Sequence, residues 1–142
     1  MFCVRFSHPY NFTCFNSHMM THILPQPEFS RWTALLEYCH FENTRLKNRL
    51  AAAMEKSVSG NTLRLAEHFQ HEFLRKDEII RFLRQDLRAQ QELATRLTGE
   101  EAEQARFVQM LQMLSDGIRF LDKDFKRLRE EFDLFLSEEK YS

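Results

Sequence analysis

The chain reads as an all-α protein, a three-helix bundle with coiled-coil-like packing, on three observations. Phe107, Leu111, Leu114, Ile118, Leu121 and Phe125 recur in alternating steps of four and three residues, and Leu128, Phe132 and Phe135 continue the series. That spacing lines the side chains along one stripe of a helix, and a stripe held this long without a polar break needs a partner helix. Gly and Pro number three each in 142 residues, so the chain has few places to turn and long helices are favoured. The third observation is the break Thr98-Gly99-Glu100-Glu101, which divides two strongly periodic segments.

The first helix is expected over about 27–56. Pro25 and Pro27 stand at its start, where a missing N–H is not needed. Its seam is Phe29, Trp32, Leu36, Cys39, Asn43, Leu46, Leu50 and Ala53, with Trp32 as a core anchor and Leu35 on the side face. It stops near Lys56, before the turn-forming run Ser57 to Asn61.

The second helix is expected over about 61–97 with Asn61 as its N-cap. Its seam runs from Ala66, Phe69, Phe73 and Lys76 through Ile80, Leu83 and Leu87 to Gln90, Ala94 and Leu97. The third, over about 99–137, opens with a Thr98–Glu101 capping box, almost without a loop. So short a connection folds these two helices back antiparallel. Pairing residues whose numbers sum to about 201 aligns both seams, so that Phe69 meets Phe132 and Leu83 meets Ile118.

The hairpin then has two flanks. The one with Asp77, Arg84 and Gln91 opposite Ser115, Asp122 and Arg129 is polar and expected to face water. The one with Ile79 and Leu93 opposite Met110 and Gly117 is apolar and expected to be covered by the first helix. That helix is shorter than the hairpin, and the part it leaves bare is expected at Phe69, Phe132 and Phe135.

Residues 25–142 thus read as one bundle domain. Residues 1–24 lack any period, and are expected to be a disordered tail or upstream sequence, with translation starting at Met19 or Met20. Cys3, Cys14 and Cys39 make neither a disulfide framework nor a CxxC zinc pattern, which points to a reducing cytoplasm. No apolar run is long enough to span a membrane. The net charge of −1 argues against a dedicated nucleic-acid binder.

No motif speaks for catalysis, a cofactor or a small-molecule substrate. Three scattered glycines make no phosphate loop, and no serine or cysteine sits in a nucleophile motif. The expected function is a non-enzymatic helical interaction or structural module that associates with itself or another helical protein. Asn43, on the first seam, would set register or pairing, and Phe69, Phe132 and Phe135 would form the sticky end. One alternative is a metal-binding bundle. Glu37 and His40 form one Glu-x-x-His, and Glu67, His68 and His71 cluster on the second helix at ligand-like spacing. A weaker alternative is phosphate or nucleic-acid contact through Arg81, Arg84 and Arg88, three and four residues apart on one arc.

Overall fold

The computed structural model describes residues 26–56 and 59–139. Three helices follow in order, α1 (Gln26–Met54), α2 (Gly60–Ala94) and α3 (Glu101–Glu139). They pack against each other as the all-α three-helix bundle that the seams imply, with no strand among the described residues. The tail 1–24, its suggested start at Met19 or Met20, and Pro25 lie outside the described residues, as do Ser57 and Val58.

The helix ends differ from expectation by a few residues, each for a local reason. Ser59, not Asn61, caps α2: its backbone is extended (φ −78°, ψ 162°) and its hydroxyl accepts from the Thr62 N–H at 3.2 Å. Asn61 falls inside the first turn instead. α2 stops at Ala94 because Thr95 turns its hydroxyl back onto the Glu92 carbonyl at 2.7 Å, closing the last turn. The connection is therefore six residues, 95–100, rather than almost none. Gly99 sits there at φ 96°, a conformation that side-chain-bearing residues rarely adopt.

The Thr98–Glu101 capping box does not form. α3 begins at Glu101, and Glu103 reaches back to take the Thr98 hydroxyl at 2.6 Å and its N–H at 3.4 Å. The acidic partner of Thr98 is thus two residues later than expected, because Glu100 occupies the cap and its carbonyl accepts from the Gln104 N–H.

The α2–α3 register is the expected one. Phe69 and Phe132 meet edge-to-face at 5.3 Å between centroids, and Leu83 lies over Gly117. Further along, Lys76 meets Asp124 and Gln90 meets Met110. At 1.5 Å per residue α2 and α3 are about 52 and 58 Å long.

The position of α1 corrects two expectations. It packs on the flank carrying Asp77, Ser115, Asp122 and Arg129, not on the apolar flank. Asn43 donates to the Phe73 carbonyl (2.9 Å) and to Asp77 (2.7 Å), and Lys47 pairs with the same Asp77. Arg129 donates to the Tyr38 hydroxyl at 2.9 Å, and Arg49 pairs with Asp133 at 3.1 Å. Asp77, Arg129 and Asp133 on this side thus have matching partners on α1, which simple counting of apolar residues does not register. Ser115 is buried in consequence, and Val108 on the same flank is buried with it.

The second correction concerns the bare end. Phe69, Phe132 and Phe135 are all buried, with centroids 5.2–6.1 Å apart and Arg49 lying 5.5 Å over the Phe132 ring. The short link from α1 to α2 holds the C-terminal end of α1 beside this cluster. The shorter helix therefore runs out at the other end. Gln26 lies roughly 25 Å along α1 from Asn43 and so reaches about the level of Gln90, short of the Gly99 turn. Trp32 is buried as a core anchor, edge-to-face with Phe29 at 5.9 Å.

Two outcomes check this packing. Gly99→Ala should lower stability by about 1–2 kcal/mol in a urea titration, because a Cβ is strained at that φ. Cys39 is buried at the α1 interface, and burial, with the nearby Asp122 carboxylate, pushes its thiol up to about 11. In a Cys3→Ser, Cys14→Ser background it should resist thiol labelling at pH 8 in native buffer and react fully in denaturant. Rapid native labelling would mean that α1 undocks readily.

Candidate interaction surface

With α1 on one flank, the opposite flank of the α2–α3 hairpin is covered by no described helix. It has two halves. Toward the Gly99 turn, Ile79 and, farther round α2, Phe82 stand level with Gly117 and Phe120 of α3, with Met113 one turn beyond. Phe120 is 68% exposed, Met113 67% and Phe82 52%. Gly117 stands in the middle, where an added Cβ would come within 3.0 Å of Leu83 Cδ2. The glycine lets the Leu83 side chain lie close to the α3 backbone.

Toward the other end the flank is charged and opens into a cleft of about 280 Å³. Lys76 lies at its base, only 2% exposed, although it occupies a seam position between Phe73 and Ile80. Its Nζ is 2.7 Å from Asp124 Oδ2 and 3.6 Å from Glu72 Oε2. Asp124 also accepts from Arg127 Nε and Nη2 (3.1 and 2.7 Å), and Arg127 reaches on to Glu131 at 2.6 Å. Arg75 closes the row with a contact to Glu72 at 3.4 Å. Burial pushes the Asp124 carboxyl up, but the hydrogen bonds from Lys76 and Arg127 outweigh it and hold the group below its ordinary 3.8. The bonds to Asp124 and then to Glu131 raise Arg127.

The residues singled out from sequence are distributed differently. Asn43 is fully buried, and its register role is exercised within the chain, between α1 and α2. The metal alternative finds no gathered donor set: among the described residues no three His, Cys, Asp or Glu side chains are placed to hold an ion. The reason is axial. Asn43 faces Phe73, so in antiparallel helices Glu37 and His40 lie beyond Asp77 while Glu67, His68 and His71 lie before Phe73. All five are exposed, and only His68 touches the cleft.

Arg81, Arg84 and Arg88 are on the α1 side of α2, since Arg84 is one heptad beyond Asp77. Arg81 stacks on Phe82 at 4.9 Å and approaches Glu78 at 4.0 Å, so part of the strip is already engaged. No described helix is long and apolar enough to cross a membrane.

Lys76 was visible in the sequence as a charge on a seam, and its partner was one residue away from the position facing it. Phe120 and Met113 carried no signal of their own, because their exposure depends on which flank α1 takes.

The pair should respond asymmetrically. Asp124→Ala strands the buried ammonium with only the longer Glu72 contact, and should cost about 3 kcal/mol in denaturant unfolding. Lys76→Met leaves Asp124 with Arg127 and should stay within about 1 kcal/mol of the parent. Because the Asp124 carboxyl is lowered in the folded state, its contribution is full above pH 3.8 and is lost as pH falls through the lowered value. Below that pH Asp124→Ala should converge on the parent, because neither then holds a carboxylate against Lys76. No protein-family model, no curated protein and no solved structure matches this chain.

Proposed function

We propose that this chain is a non-enzymatic helical protein–protein interaction module, and that the open flank of the α2–α3 hairpin is its contact surface. The observation that carries this is the pair Met113 and Phe120, both more than half exposed and one turn to either side of Gly117 on α3, with Phe82 exposed at the same level of α2. Burying a Phe or Met side chain is worth about 1.5–3 kcal/mol, so covering three of them releases several kcal/mol. A partner helix laid there would complete a fourth element of the bundle, and the charged half of the flank would set its register. The sticky cluster at Phe69, Phe132 and Phe135 has no part in this, because it is already inside. The free thiol of Cys39 accords with a reducing compartment, and we place the module in the cytoplasm on that basis.

Site-specific photo-crosslinking in cells tests the surface. A benzophenone side chain at position 120 should give protein adducts. The same group at position 41, where Phe41 is 79% exposed on the outer face of α1, should give few. Equal yields at both positions, or none at 120, would remove the flank as a contact surface.

A further inference from the structure

We draw no further inference here: the strongest candidate, the open flank of the α2–α3 hairpin around Met113, Gly117 and Phe120, is an unpartnered face whose charged half is already paired within the chain, and nothing in the structure shows what covers it.

Discussion

Lys76 has no apolar place to lie. It occupies a seam position with Phe73 before it and Ile80 after it, and it is almost wholly buried. The observed alignment of α3 brings Asp124 to 2.7 Å from it, closer than the 3.6 Å to Glu72 on its own helix. An apolar seam made of Leu, Ile and Phe tolerates sliding by a heptad at modest cost, because similar side chains replace one another. A buried ammonium adds a constraint, since a slide that brings Gly117 to this level leaves it only the longer contact to Glu72. The rest of the bundle follows from that alignment. It sets Phe69 on Phe132, places Leu83 over Gly117, and fixes which groups stand at each level of both flanks.

α1 then makes a choice between two flanks, and electrostatic pairing rather than apolar area decides it. The open flank offers more apolar surface toward the Gly99 turn, yet the polar groups of α1, Asn43, Lys47 and Arg49, are paired on the other. On the polar flank each finds a partner: the Phe73 carbonyl and Asp77 for Asn43, Asp77 for Lys47, and Asp133 for Arg49. The hydrophobic seam of α1 is satisfied on either side, so the difference between the two docking modes lies in the polar contacts. Choosing this side leaves the apolar flank open. The open flank is thus a consequence of where α1 finds its polar partners.

The parts of this fold that were legible in sequence are those set by periodicity. The three helices and the α2–α3 register follow from four-three spacing and from matching large residues with small ones, both of which act along a single helix pair. The side taken by α1 was not legible in the same way, because it depends on pairs such as Asn43–Asp77 and Arg129–Tyr38, which no spacing rule brings together. The end it leaves free was legible in principle. A short link after Met54 must return the chain beside its own C-terminal end, and this places Phe69, Phe132 and Phe135 under cover. The helix boundaries near Ser59 and Thr95 turned on single hydroxyls choosing one backbone partner over another.

Gly117 ties the seam to the open flank. A glycine inside a long helix lowers stability by about 1 kcal/mol relative to alanine, so its presence calls for a compensating contact. One such contact faces inward: Leu83 lies where a Cβ would stand, and with Leu83 close the two backbones approach. Outward, Phe120 and Met113 stand one turn to either side of Gly117, 68% and 67% exposed. The two are thereby grouped on the flank that α1 leaves open, and it is the grouping of exposed apolar side chains, rather than any one of them, that a solvated surface has least reason to keep.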